Sequence, residues 1–328
     1  MRAIRFEHVS KQFPGAPRPA VDDCSLEIGV GQFVCLVGPS GCGKTTLLKM
    51  VNRLYEPTEG RIFLDQTEIR QLKVTELRRQ IGYVIQQTGL FPHMTVAQNI
   101  AVVPRLLGWN RAQLAARVDE LLALIELKPD EYRDRYPAQL SGGQQQRIGL
   151  ARALAADPGV VLMDEPFSAI DAITRATLQD ELIRLQQKVR KTILFVTHDV
   201  EEALRLADRI VVMRAGRVVQ YDTPFAILTQ PADAFVADLM GTQDMVRQLG
   251  LLRVEGAMLP VPAGYRPDGE PAVAAADNLR HALSLLLRTG APALAVTAGG
   301  AGEAPVGLLT LEAIRESARG GLAGVRAS

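Results

Sequence analysis

The chain has 328 residues, with 37 Lys and Arg against 36 Asp and Glu, a formal net charge of +1. A hydrophobic fraction of 47% and a charged fraction of 22% exclude wholesale disorder, a collagen-like repeat and a long coiled coil. The balanced charge leaves no basic surplus for nonspecific phosphate neutralisation, so no nucleic-acid partner is expected.

Along the chain, Met1 to His8 lacks the apolar stretch of a signal peptide. No later segment approaches the roughly 18 uninterrupted apolar residues of a membrane span. The expectation is a soluble chain whose membrane role, if it has one, runs through a partner. Phe33 to Val37 reads as a buried strand, followed by a helical stretch from Thr46 to Leu54. Ile81 to Ile85, Val160 to Met163 and Ile193 to Val196 read as further buried strands. Short apolar β-branched runs separated by helices predict a largely parallel sheet covered on both faces. Between Pro92 and Asp157 the character turns helical: Arg111 to Leu127 spaces Leu114, Val118, Leu121, Leu122 and Ile125 at helical intervals, and another helix starts at Ser141. Arg209 to Met213 and Arg217 to Tyr221 flank Arg214-Ala215-Gly216 as a hairpin.

After about Gly241 the composition shifts toward Ala, Gly, Leu and Pro. Pro260, Pro262, Pro267 and Pro271 mark irregular linkage. Asn278 to Arg288 and Leu311 to Ser317 read as helices, and Ala293 to Thr297 and Val306 to Leu309 as strands. The small residues from Gly320 to Ser328 predict a frayed end. The expected domains are therefore 1–241, with a helical subdomain at about 92–158, and a smaller unit at 242–328. Three cysteines, Cys24, Cys35 and Cys42, are an odd number without metal-ligand spacing, against a disulfide framework or a zinc site.

Gly38-Pro39-Ser40-Gly41-Cys42-Gly43-Lys44-Thr45 fits G-x-x-x-x-G-K-[ST] between a strand and a helix, the context a phosphate loop requires. The glycines let backbone N–H groups turn inward around phosphate oxygens, and the helix N-terminus adds a favourable dipole. Lys44 would reach the β- and γ-phosphates, and Thr45 would ligate Mg²⁺. The bland alternative is a Gly-rich turn. A second acid is needed on a neighbouring strand. Val160 to Met163 leads into Asp164, placed to hold Mg²⁺ through water, and Glu165, placed to polarise an attacking water.

Leu140-Ser141-Gly142-Gly143-Gln144-Gln145-Gln146-Arg147 carries an S-x-x-Q capping box with two bare glycines at the positive end of a helix, a second phosphate-binding surface. This segment resembles the signature sequence of ATP-binding cassette (ABC) ATPases. The resemblance implies an α/β P-loop NTPase fold, and a head-to-tail dimer in which Ser141, Gly142, Gly143 and Gln144 of one copy face the ATP held by the other. It further implies that Phe13 stacks on adenine, the alternative being a core phenylalanine on an edge strand. Gln86, with Gln87 adjacent, matches the glutamine that senses Mg²⁺ and the membrane partner. Ser168-Ala169-Ile170-Asp171 matches the segment where copies touch, and His198 the switch histidine at the γ-phosphate. Thr46 extends the phosphate loop. Cys42, inside the loop, is a candidate redox sensor.

The stretch from Ile81 to Val96, followed by Asn99 to Trp109, resembles the osmoprotectant (quaternary-amine) uptake branch. That implies solutes such as glycine betaine, carnitine, choline or proline, integral-membrane permease subunits, a solute-binding protein acting indirectly, and a peripheral place on the cytoplasmic side of the membrane. Leu90, Phe91 and Val96 are read either as lining a groove for a permease helix or as core. The segments around Asn278 to Leu287, Ala291 to Val296 and Val306 to Thr310 resemble one cystathionine-β-synthase (CBS) repeat, giving a small C-terminal α/β CBS-like unit. Two such repeats together imply ionic-strength or nucleotide sensing, and Val254 to Pro271 is read as a vestige of another. The rival readings are an importer for amino acids or metals, a soluble non-transport cassette, and a purely regulatory nucleotide-binding module.

Overall fold

The computed structural model describes residues 2–86, 89–168, 170–242, 244–262, 271–299 and 304–323. The expectations for Gln87, Ala169, Pro267 and residues 324–328 lie outside these. The chain forms two compact units, Met1–Asp222 and Thr223–Ser328.

In the first unit, strands β1 (Arg2–Lys11), β2 (Val21–Gly29), β4 (Glu59–Leu64) and β5 (Thr67–Glu68) form an antiparallel sheet in the order β2-β1-β4-β5. The sequence reading does not anticipate this sheet. Its strands alternate buried and exposed residues, as Val21–Gly29 shows, and lack the continuous apolar runs that mark a buried strand. The second sheet is built from β3 (Phe33–Val37), β6 (Ile81–Val84), β7 (Val160–Asp164), β8 (Thr192–Val196), β9 (Arg209–Arg214) and β10 (Arg217–Asp222). Its order is β10-β9-β3-β8-β7-β6. All neighbours are parallel except the β9–β10 hairpin. Every residue of β3, β7 and β8 is buried. Each apolar side chain so buried contributes about 1.5–3 kcal/mol, which fixes these strands at the centre.

The helices of this unit are α1 (Lys44–Val51), α2 (Val74–Arg79), α3 (Val96–Ile100), α4 (Val102–Leu106), α5 (Arg111–Leu124), α6 (Pro129–Tyr132), α7 (Gly142–Leu154), α8 (Ala172–Val189) and α9 (Val200–Leu206). Between residues 92 and 158 the described regular elements are thus all helices. Capping boxes start three of them, at Thr95, Asn110 and Ser141. Because β3, β6, β7 and β8 run parallel, their carboxyl ends share one edge of the sheet. Ligands bind at that edge in open α/β folds.

The second unit begins at Thr223, not after Gly241 as expected. Helices α10 (Pro224–Thr229) and α11 (Ala234–Met240) pack together, and α10 packs on α12 (Met245–Leu251), so residues 223–241 fold with the C-terminal unit. Strand β11 (Ala272–Ala274), helix α13 (Leu279–Thr289), strands β12 (Ala293–Thr297) and β13 (Gly307–Thr310) and helix α14 (Leu311–Ala323) then give a β-α-β-β-α order. The sheet is β11-β12-β13, with β11 and β12 parallel. Its own core includes Leu249, Val254, Val273, Leu279, Leu286, Leu294, Leu309 and Ile314. Among the described residues, no helix is long and apolar enough to cross a membrane.

Candidate active site

The phosphate loop leaves the carboxyl end of β3. Gly38 adopts φ +149, and a Cβ there would lie 2.3 Å from the carbonyl oxygen of Met213; at Gly43, φ +108, it would lie 2.2 Å from that of Ala20. Only glycine fits either position. Gly41 has open space but φ +77, so its backbone conformation sets the requirement. Pro39 and Ser40 form the exposed rim, while Cys42 is buried and its carbonyl accepts the Gly216 N–H at 3.0 Å. Lys44 is buried. Its Nζ donates to the Gly38 and Pro39 carbonyls at 2.7 and 3.0 Å and lies 3.8 Å from Cys42 Sγ. The loop thus curls around a buried ammonium at a helix N-terminus, an arrangement suited to an anion. Thr46 follows in the first turn of α1.

Thr45 Oγ1 donates to Asp164 Oδ1 at 2.9 Å, joining α1 to the end of β7. Two hard oxygen donors meet here, the chemistry that Mg²⁺ prefers. The other Asp164 oxygen lies 3.7 Å from Lys49 Nζ. Nearby on β6, burial and then the Asp164 charge push the Tyr83 hydroxyl up to about 12.

Glu165 adopts φ +46, a strained value for a non-glycine residue that points to function. Its N–H donates to the Val196 carbonyl at 3.0 Å, and its own carbonyl accepts from the Ser168 N–H and hydroxyl. Its side-chain Oε2 lies 3.1 Å from His198 Nδ1. The histidine follows β8, and Asp199 caps α9 immediately after it, accepting from the Glu201 and Glu202 N–H groups. The structure therefore brings Lys44, Thr45, Asp164, Glu165 and His198 to one edge of the sheet.

Other expected residues lie around this group. Phe13 stands past the end of β1, half-buried, with its ring edge-to-face against Tyr55 at 5.2 Å and Lys11 Nζ 5.1 Å from its centroid. The β6 strand ends at Val84, so Ile85 and Gln86 are exposed beyond it, and the described residues show no hydrogen bond from Gln86 to Thr45 or Asp164. Ser141 and Gln144 close their capping box, and Gln144 also donates to the Tyr132 hydroxyl at 3.0 Å. No hydrogen bond among the described residues joins Ser141–Gln144 to the phosphate loop of the same chain. A Cβ on Gly143 would meet the Thr174 methyl at 2.9 Å, whereas one on Gly142 would meet nothing within 4 Å. Asp171 caps α8 by accepting the Thr174 N–H. Val96 is fully buried and belongs to the core; Phe91 is 40% exposed.

Sequence reading missed Lys49 and Tyr55. Lys49 stands four residues after Thr45 on one helix, and that spacing puts both on the same face. Tyr55 gives no comparable signal, because its approach to Phe13 depends on the antiparallel sheet.

Residues 21–168 match the family described as ABC transporter. The chain is 55% identical over 243 residues to the carnitine transport ATP-binding protein of Listeria monocytogenes, covering 74% of this chain and 61% of that protein. It thus spans less than two thirds of that relative's length. It is 52% identical over 294 residues to the glycine betaine uptake system ATP-binding protein of Escherichia coli, covering 89% of this chain and 93% of the other. Among solved structures, an ATP-binding cassette dimer in a post-hydrolysis state bound to ADP and Pi matches with a TM-score of 0.59 and 33% identity, covering 67% of this chain and 98% of that one. The phosphate loop, the acids closing β7 and the capped glycines of α7 lie in one cassette fold: the chain belongs to the ATP-binding proteins of the ABC transporter family.

Proposed function

We propose that this chain is the ATP-hydrolysing subunit of an importer for osmoprotectants such as glycine betaine, carnitine, choline or proline. The observation that carries the ATPase reading is the alignment of Lys44, the Thr45–Asp164 pair and the Glu165–His198 pair along one sheet edge. The solute class rests on the names of the relatives above.

Phosphoryl transfer to water is mainly positioning and charge neutralisation. The loop amides and Lys44 hold the triphosphate. Thr45 and Asp164 would hold Mg²⁺, which would supply neutralisation of phosphate charge. Glu165 accepts the proton of the attacking water, and His198 fixes the carboxylate and contacts the γ-phosphate. Phe13 offers its face to adenine.

The rest of the pocket comes from a second copy. The Gly142 and Gly143 amides and the Ser141 hydroxyl stand at the positive end of α7. A side chain on Gly143 would crowd the Thr174 methyl, but nothing among the described residues requires Gly142 to lack one. A phosphate approaching from another molecule supplies that requirement. Ser168 and Asp171 lie at the contact between copies. Gln86, exposed between the sheet edge and Phe91, relays the state of the site to a permease on the cytoplasmic side of the membrane. The β-α-β-β-α unit pairs with that of the second copy and senses ionic strength or nucleotide.

Reconstitution with the permease tests this reading. ATP-driven uptake of a quaternary amine is expected, and none with Glu165→Gln. An active ATPase that binds no multi-span membrane protein would favour the soluble cassette, and uptake confined to amino acids or metals would favour the other importers.

A further inference from the structure

Among the described residues, the segment from Gly89 is tied to α7 through Arg152. Arg152, in the last turn of α7, donates from Nη1 to the Gly89 carbonyl at 2.7 Å. Its guanidinium carbon also lies 5.9 Å from the centroid of the Phe91 ring, within cation–π range. Burial holds the guanidinium pKa below its ordinary value, and a charged donor in such a place makes a stronger bond than a neutral one. Gly89 is itself constrained, with φ +56 and space for a Cβ only 2.6 Å from the Ile85 side chain.

Beyond Gly89 the segment has a fixed shape. The fully buried Asn99 accepts the Phe91 N–H at 2.8 Å and donates to the Phe91, Met94 and Thr95 carbonyls at 3.2, 3.1 and 3.0 Å. A pull on Gly89 is therefore passed to Phe91 and not absorbed by slack. At the other end of α7 stand Ser141 and the two glycines. A helix of this length is about 20 Å of stiff rod, so a displacement of its N-terminus is delivered at Arg152.

We propose that Arg152 is a positioning residue that makes the segment from Gly89 to Thr95 follow α7, so that nucleotide engagement at Ser141 is reported at the exposed ring of Phe91. This rests on the reading of Ser141–Gly143 as a nucleotide contact. Arg152 touches no reacting group; it acts through the Gly89 carbonyl.

Hydrogen exchange on the full chain, with and without Mg²⁺ and a non-hydrolysable ATP analogue, tests it. In the wild type, nucleotide slows exchange in both 142–154 and 89–95. Arg152→Met keeps the side-chain stem but has no donor. It is expected to retain the response of 142–154 and lose that of 89–95, a difference of about tenfold in protection, while the ATPase rate of the isolated chain stays within about twofold of wild type. Arg152→Lys, which keeps the charge without the planar fork, covers the case in which the methionine variant does not fold: the response of 89–95 is expected to weaken while that of 142–154 stays whole. Full responses of both segments in these variants would overturn the proposal, as would equal loss in both. If nucleotide slows neither segment in the wild type, the nucleotide-contact reading itself fails and takes this inference with it.

Discussion

The imidazole of His198 stands 3.1 Å from Glu165 Oε2 across a sequence separation of 33 residues. The two meet because β7 and β8 are parallel neighbours, with Asp164 in register with Val196. One strand delivers the acid and the other the histidine at the same level of the sheet. Removing the carboxylate charge while keeping its shape should therefore spare binding and stop chemistry. Glu165→Gln is expected to bind ATP as the wild type does and to turn over about 10²–10⁴ times more slowly. Single-turnover hydrolysis alongside nucleotide titration checks this; near-normal hydrolysis would reject Glu165 as the base.

Glycines in the site differ in what they tolerate. A methyl on Gly38 or Gly43 meets backbone carbonyl oxygen at 2.3 or 2.2 Å, in a conformation that L-residues avoid, whereas one on Gly142 meets nothing. Gly38→Ala and Gly43→Ala are expected to cost about 1–3 kcal/mol of stability each and to abolish nucleotide binding. Gly142→Ala should melt within a degree or two of wild type, roughly the effect of a surface change. Thermal melts with and without ATP compare the three.

Lys49 would compete with a bound divalent ion for the Asp164 carboxylate. With Nζ 3.7 Å from Asp164 Oδ2, the ammonium stands where Mg²⁺ would draw the same charge. Lys49→Met is expected to tighten apparent divalent-ion binding by a few-fold, about 1 kcal/mol for a partly exposed pair. Mn²⁺ titration followed by electron paramagnetic resonance measures it; weaker binding would mean that Lys49 orients Asp164 for the ion.

Burial pushes the Cys24 thiol up to about 12, with Asp23 adding to the effect, and raises Cys35 for the same chief reason. The thiolate is the reactive form, so at pH 8 only about one Cys24 in 10⁴ is reactive in the folded chain. Maleimide labelling followed by mass spectrometry should spare both until the protein unfolds. The unfolded thiols ionise near pH 9 and the folded ones do not, so the unfolded state binds fewer protons above that pH. Stability then falls as pH rises from about 9 toward 12, and Tyr83 adds to the fall from about 10. Urea melts across this range would show the midpoint declining.

How much of this was legible in the sequence varied with the kind of signal. The parallel strands were, because burial on both faces writes continuous apolar runs such as Phe33 to Val37. The phosphate loop and the S-x-x-Q cap were, because backbone geometry demands particular residues at fixed spacing. The antiparallel sheet was not: its alternation of exposed and buried residues is weaker than a run, and its register comes from pairing distant strands. The unit boundary falls at Thr223 and not after Gly241, because residues 223–241 are assigned by how α10 packs on α12, a tertiary contact that Pro224 and Pro231 do not announce. Tyr55 and Arg152 act through tertiary neighbours and leave no local mark, and Lys49 leaves only its four-residue spacing from Thr45.

Mixing two inactive variants tests the composite pocket most directly. Lys44→Ala spoils the phosphate loop, and Gly142→Asp places a charge on the open face of α7 without straining its own chain. If each pocket takes its loop from one copy and its α7 from the other, a mixed pair contains one wholly intact pocket. Equimolar mixing should then restore roughly a quarter of wild-type ATPase activity, since half of the pairs are mixed and each has one of two pockets whole. No recovery, with mixed pairs demonstrably formed, would show that each chain builds its pocket alone.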